Sequence, residues 1–241
     1  MSKALVLLSG GTDSFLSALK AKESHEEIHA MFFAYGQLSY ERELRAVSLV
    51  AEKLGLELHK IDLRGIQSLL ACDYVGDKFT GDKGNFTSMV PNRNLLFLTL
   101  ASNFCFLNGI TNLYTGFYDT DDTIKPKSFI ETISKAVFDR ENLGIEIVSL
   151  LSDQSKDFLI KVEATINKSF ENENFSISIK SPIHAMNKRA IVAEIIAYGY
   201  EETLVNILTS CYHADQTQHE WGLGCGQCQP CKIRKQAYEL R

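Results

Sequence analysis

At 241 residues and 27.0 kDa, the chain suits one domain of generous size, with room for a small appendage. Apolar residues make up 45%, charged residues 23%, and mean hydropathy is -0.08, a balance that fills a core and excludes disorder, collagen and coiled coil as descriptions of the whole. The formal net charge of -5 and a pI of about 5.7 argue against a wholesale electrostatic nucleic-acid binder. The apolar stretch Leu95–Leu107 is interrupted by Thr99, Ser102 and Asn103 and falls short of the about 20 residues that cross a bilayer.

Ala4–Leu8 is a short apolar run, as expected for a strand covered on both faces of a parallel sheet, and is too brief for a signal-peptide core. A helix is expected from Ser14 to about Lys22. Ile28–Tyr35 forms a second apolar run, ended by Gly36. Leu44, Val47, Val50, Ala51 and Leu54 recur at helical spacing, with Gly55 where a C-terminal cap belongs. Leu56–Leu63 reads as a third strand, and Cys72–Met89, rich in Gly, Asp and Lys, as a long loop suited to a lid. Asn94–Asn108 is apolar nearly all round and reads as a buried helix closed by Gly109; Leu113–Thr115 is a short strand running into Gly116. Asp119, Asp121 and Asp122 make an acidic loop. Ser128–Arg140 reads as helix, Ile145–Leu151 as strand or helix, Phe158–Phe170 as helix and Phe175–Lys180 as a half-buried strand. Asn187 is placed to cap a helix through Tyr198, stopped by Gly199. The order implies an α/β fold with a doubly wound, mostly parallel sheet and ligands beyond the carboxyl ends of the strands.

Six cysteines are few for this length, and three stand in a C-x2-C-x2-C array: Cys225, Cys228 and Cys231. With Cys211 as fourth ligand they would make a closed tetrahedral zinc site that pins the C-terminal segment. His213 and His219 are alternative ligands or surface residues of the Cys211–Cys225 loop. An iron–sulfur cluster is the rival, but its next cysteine belongs three residues on, and none stands there. Cys105, inside an apolar run, reads as a small buried hydrophobe. This cysteine usage points to a reducing, cytoplasmic address.

After the first strand comes Ser9-Gly10-Gly11-Thr12-Asp13-Ser14 and then a helix. That order aims backbone N–H groups and a helix N-terminus at an anion. It is neither a Walker A loop nor G-x-G-x-x-G. The string resembles the signature of the PP-loop ATP pyrophosphatases, which adenylate a carboxylate or carbonyl and release pyrophosphate. Further strings narrow the resemblance to the 7-cyano-7-deazaguanine synthase (QueC) family. They are Phe33-Ala34-Tyr35-Gly36-Gln37, Val90-Pro91-Asn92-Arg93-Asn94, Thr115-Gly116, Ser181-Pro182-Ile183-His184-Ala185-Met186-Asn187-Lys188, Leu208-Thr209-Ser210-Cys211-Tyr212 and the run from Cys225 to Lys235. They follow family order along nearly the whole chain.

The resemblance implies a nucleotide-binding domain over residues 1–200, carrying an insertion at about 120–152, with a zinc-binding segment over 201–241. ATP would lie on Leu8, Ser9, Gly10, Gly11, Thr12, Asp13 and Ser14, lined by Tyr35, Gln37 and Gly116. Arg93 and Lys188 would supply positive charge at the α-phosphorus, assisted by Mg²⁺, and Asp13 would position metal and nucleophile. Each residue has a plainer reading: Lys188 as a solvated helix lysine, Arg93 as a loop cation, Asp13 as a helix cap, and Tyr35 and Gln37 as closers of a turn.

The family's substrate segment is broken here. Asp119 and Asp121 keep its opening, and Asp153 matches its end, at the cost of the family's Cys and Arg. The implied reaction adenylates 7-carboxy-7-deazaguanine, and an amine then displaces AMP. The amine is ammonia, giving an amide and then the nitrile, or a protein amine, as in QueC-like paralogues of antiphage-defence operons. The family also implies a homodimer, to which the apolar stretch Ile191–Tyr198 could contribute unless it belongs to the core. A tRNA-modifying or sulfur-transferring PP-loop ATPase and a zinc-stabilised nucleotide sensor are the alternatives.

Overall fold

The computed structural model describes residues 2–70, 75–76, 90, 92–118 and 153–241. The loop expected over Cys72–Met89 lies outside these residues apart from Val75 and Gly76. So do the helix expected at Ser128–Arg140, the element at Ile145–Leu151, and both Asp119 and Asp121.

A five-stranded sheet in the order β3-β2-β1-β4-β5 forms the centre. Its strands are β1 (Lys3–Leu7), β2 (Glu27–Ala34), β3 (Glu57–Asp62), β4 (Asn112–Tyr114) and β5 (Ser178–Lys180), and every pairing is parallel. The expected strand at Phe175–Lys180 keeps only its last three residues, because only these reach the β4 register.

Strand periodicity sorts side chains to two cores. Ala4, Val6, Ile28, Ala30 and Phe32 face a cluster with α1 (Thr12–Ser24) and α2 (Tyr40–Leu54). Leu5, Met31 and Phe33 face α3 (Arg93–Asn108) and α4 (Lys156–Ser169). The first cluster also takes in α5 (Lys188–Ala197) and α6 (Glu201–Asn206) through Ile191, Val192, Ile195 and Leu204.

The Ile191–Tyr198 stretch is therefore core and not an exposed surface: Ile191, Val192 and Ile195 are fully buried. Asn187 caps α5 as expected, its side-chain oxygen accepting from Ala190 N–H at 2.9 Å. Among the described residues no helix is long and apolar enough to cross a membrane.

Residues 201–241, which sequence periodicity leaves unassigned, hold more structure than expected. They form α6, a hairpin of β6 (Gln218–His219) and β7 (Gly222–Leu223), and α7 (Gln229–Glu239). Ala237 of α7 joins the same core as α1.

Candidate active site and metal centre

The strand order reverses between β1 and β4, since the chain runs outward to β2 and β3 and later returns to β4 and β5. Such a switch point opens a crevice at the carboxyl ends of the two central strands. The Leu8–Ser14 loop leaves β1 there. Gly11 is the N-cap of α1 and no side chain caps it, so the first-turn N–H groups keep their capacity for an anion. Ser14 Oγ accepts from Ser9 N–H at 3.1 Å and donates to the Gly11 carbonyl at 3.2 Å, which shapes the loop from inside.

Two glycines are demanded by space. Gly10 has φ +77°, and a Cβ there would stand 2.9 Å from the Ala46 Cβ. A Cβ on Gly116 would come within 2.6 Å of Ser14 N and 2.8 Å of the Asp13 carbonyl carbon. The end of β4 thus presses directly on the first turn of α1.

Charge gathers at this turn from distant parts of the chain. Lys188, in the first turn of α5, ion-pairs with Asp13 and donates to Thr12 Oγ1 at 3.4 Å, although it lies 175 residues from Asp13. Its ammonium also sits 4.7 Å from the centre of the Tyr118 ring. Burial opposes the charge on Lys188, but Asp13 and the Tyr118 phenol outweigh it and hold the amine above its ordinary value. The ammonium is therefore a fixed positive charge in a partly dry site.

At the carboxyl end of β2, Arg93 opens α3 and donates to Tyr35 Oη at 3.3 Å. Desolvation works against this guanidinium too, and Tyr35, Asp153 and Glu43 overcome it. Asp153 in turn is raised above its usual range by burial, against the pull of Arg93. Burial raises the Tyr212 phenol above its ordinary value, against the charges of Arg93 and Lys188. The structure thus brings together Asp13, Thr12 and Lys188 as one group and Tyr35, Arg93 and Asp153 as another.

Gln37 is buried and commits its amide internally. Its Nε2 donates to the Phe33 carbonyl and to Glu43 Oε2, each at 3.0 Å, while its Oε1 accepts from Tyr35 N–H at 2.9 Å. Glu43 was not singled out by its sequence, where it is one of two acids opening α2. Burial pushes its carboxyl up, against the hydrogen bonds from Ser39 and Gln37. A carboxyl raised on folding stabilises the native state below its unfolded value and loses that contribution as pH rises through its folded value. The stability difference between wild type and Glu43→Gln should therefore shift against wild type as pH rises from about 4 to 7. Urea unfolding at both pH values reads this; a pH-independent difference would remove Glu43 from the titrating set.

The four C-terminal cysteines converge. All four sulfurs lie within 4.8 Å of one another. Cys225 Sγ to Cys231 Sγ and Cys228 Sγ to Cys211 Sγ are both 3.9 Å, against an edge of about 3.8 Å for a tetrahedron with zinc–sulfur bonds near 2.3 Å. Backbone N–H groups of Gln227 and Cys228 point at Cys225 Sγ (3.4 and 3.3 Å), and that of Cys225 at Cys211 Sγ (3.5 Å). Donors of this kind stabilise thiolates. The set fits one tetrahedral cation with thiolate ligands.

His219 is not part of this set. Its ring stacks on the buried Trp221 at 4.5 Å and its Nε2 meets the Gly224 carbonyl at 2.8 Å. Cys105 is fully buried, and its thiol is pushed up to about 12 by desolvation.

The cysteine cluster and the phosphate-loop candidate are joined by short links. Thr209 N–H donates to the Gly10 carbonyl at 2.9 Å. Arg42 of α2 donates to the Cys211 carbonyl at 2.9 Å and also to the Asp215 carbonyl. Arg234 of α7, fully buried, donates to the Leu208 carbonyl at 2.8 Å and to that of Leu204. Desolvation lowers this guanidinium to about 10, so it remains charged.

Comparison with known proteins adds to this geometry. A protein 29% identical over 98% of this chain and 94% of its own length is the 7-cyano-7-deazaguanine synthase of a Nitratiruptor species. Another, 28% identical over 99% and 95%, carries the same name in Stenotrophomonas maltophilia. A 4-thiouridine synthetase solved with RNA and bound ATP superposes with a TM-score of 0.48 at 18% identity, covering 99% of this chain and 53% of the other. The family model described as "Queuosine biosynthesis protein QueC" matches residues 3–148 and 146–241. With its match spanning both the nucleotide-loop half and the cysteine-bearing half, the chain belongs to the QueC family.

Proposed function

We propose that this protein activates the carboxylate of 7-carboxy-7-deazaguanine with ATP, releasing pyrophosphate, and passes the acyl group to an amine. The observation that carries the reading is the meeting of Lys188 with Asp13 and Thr12 at the uncapped first turn of α1.

The chemistry requires a carboxylate oxygen to attack the α-phosphorus while the bond to the β-phosphate bridging oxygen breaks. Negative charge grows on the phosphoryl oxygens and on the leaving pyrophosphate. The first-turn N–H groups face the leaving group in this reading, the Ser9 and Ser14 hydroxyls hold the loop in shape, and Lys188 meets the α-phosphoryl oxygens. In this reading Asp13 would also hold Mg²⁺, which would supply charge neutralisation. Leu8 and Gly116 set the loop's approach, and Gln37 acts through the Tyr35 turn.

Arg93, in this reading, holds the substrate carboxylate for attack, and Asp153 accepts from the amino and ring N–H edge of the deazaguanine. Asp119 and Asp121 belong to the same proposed substrate segment. In the second step an amine nitrogen attacks the mixed anhydride, AMP leaves and one proton is lost. Ammonia yields an amide, whose dehydration with a second ATP gives the nitrile; a protein amine yields a conjugate. The four cysteines hold Zn²⁺ as a structural ion.

Purified protein incubated with ATP and 7-carboxy-7-deazaguanine is expected to form AMP and pyrophosphate, followed by mass spectrometry with ammonia and with candidate protein amines. Release of ADP and phosphate instead would refute the reading.

A further inference from the structure

At the amino ends of β2 and β3, away from the crevice, a second group of metal-binding side chains lies on one face of the sheet. His29 of β2 pairs in register with Glu57 of the edge strand β3, and His59 follows two residues on. Strand periodicity puts all three on the face that carries Met31 and Phe33. His29 Nδ1 lies 3.0 Å from His59 Nε2 and 3.4 Å from Glu57 Oε2, and His59 Nε2 lies 3.6 Å from Glu57 Oε1. A tetrahedral ion with bonds of about 2.0–2.1 Å to nitrogen or oxygen sets its ligand atoms about 3.3 Å apart. The separations lie on either side of that edge, with Oε2 of Glu57 nearer His29 and Oε1 nearer His59, and one ligand atom from each residue lies within 4.8 Å of the other two.

The surroundings suit a site as well. His29 Nε2 lies 3.0 Å from Glu27 Oε1, and Glu27 is itself held by Lys3 at 2.7 Å. A carboxylate on the far nitrogen fixes the tautomer of a ligating histidine and leaves its other nitrogen with a free lone pair. Here that nitrogen is Nδ1, the one facing His59 and Glu57. The Phe104 ring closes the inner side, 4.5 Å from the His59 ring and 5.9 Å from that of His29. Glu57 is exposed on the outer side, so water completes the coordination.

We infer that His29, His59 and Glu57 form a second metal site, for a divalent transition ion of the zinc class, separate from the four cysteines. The inference is independent of the proposed catalytic reading. Binding needs no redox partner. The proton that His59 Nε2 shares with His29 Nδ1 moves to His59 Nδ1, and the two bare nitrogens and the carboxylate take the ion. The ion would then clamp the edge strand β3 to β2.

The test uses the full-length, untagged chain reconstituted with Co²⁺. Cobalt on four thiolates gives intense sulfur-to-metal charge-transfer absorption, whereas cobalt on two imidazoles and a carboxylate gives only weak d–d bands. Wild type is expected to hold two equivalents by elemental analysis. The His59→Gln/Glu57→Gln double variant is expected to hold one, with the charge-transfer band unchanged. Glu57→Gln alone, at an exposed position, should weaken the second equivalent by about tenfold or more even if the double variant folds poorly. One equivalent in wild type, two in the double variant, or unaltered affinity in Glu57→Gln would each overturn the inference.

Discussion

Replacing Lys188 with alanine is expected to lower AMP and pyrophosphate formation by about 10²–10³-fold in kcat, the usual cost of removing one electrostatic contact made at the transition state. The ammonium is held in place by Asp13, Thr12 and the face of Tyr118. Its charge survives burial because Asp13 and Tyr118 favour it. In a partly dry site such a charge acts on a phosphoryl group with little screening. Lys188→Arg keeps the charge but changes its shape from a compact ammonium to a planar fork, so partial activity is expected. Thermal melting separates catalysis from folding, since the substitution truncates a side chain at a helix terminus and leaves the Ile191, Val192 and Ile195 core intact. A Lys188→Ala enzyme within threefold of wild type would remove this residue from the transition state.

Cys231→Ala should have the second large effect, and at a distance. Cys231 is fully buried in the sulfur cluster. Loss of one thiolate leaves three, and a structural ion bound by four contributes directly to folding. The variant is expected to lose its metal, to melt at markedly lower temperature and to lose nucleotide affinity together with them. The route is short: Cys211 is tied to α2 through Arg42, and Thr209 holds the Gly10 carbonyl of the phosphate loop. Chelation of wild-type protein should reproduce the loss, and zinc should restore it. Full ATP affinity in a metal-free chain would show that the loop stands without its C-terminal support.

The centre of the sheet was legible because β1 and β2 are buried on both faces, so Ala4–Leu8 and Ile28–Tyr35 read as apolar runs that no helix period explains. The caps were equally plain: Gly55 and Gly109 end α2 and α3 in left-handed conformation, as their positions after each periodic segment implied. Helix α7 was hidden for a definite reason. Its inward positions are Cys231, Arg234 and Ala237, and a cysteine, an arginine and an alanine do not read as an apolar stripe. Arg234 is inside because it satisfies the Leu204 and Leu208 carbonyls around the end of α6, a need that exists only after the chain has folded. Glu43 escaped notice likewise, since burial and the Gln37 contact single it out and both depend on tertiary packing. By contrast Asp13, Lys188, Arg93 and the cysteines were marked in advance by their strings, and the structure draws them into two connected groups.

The bond from Thr209 N–H to the Gly10 carbonyl and the ion pair from Lys188 to Asp13 both close over long stretches of sequence. Contacts of such separation form late in folding, because loop-closure entropy must be met before they stabilise anything. The glycine-rich turn therefore gains its final shape only with the tertiary fold, and a local peptide spanning it alone would lack both partners.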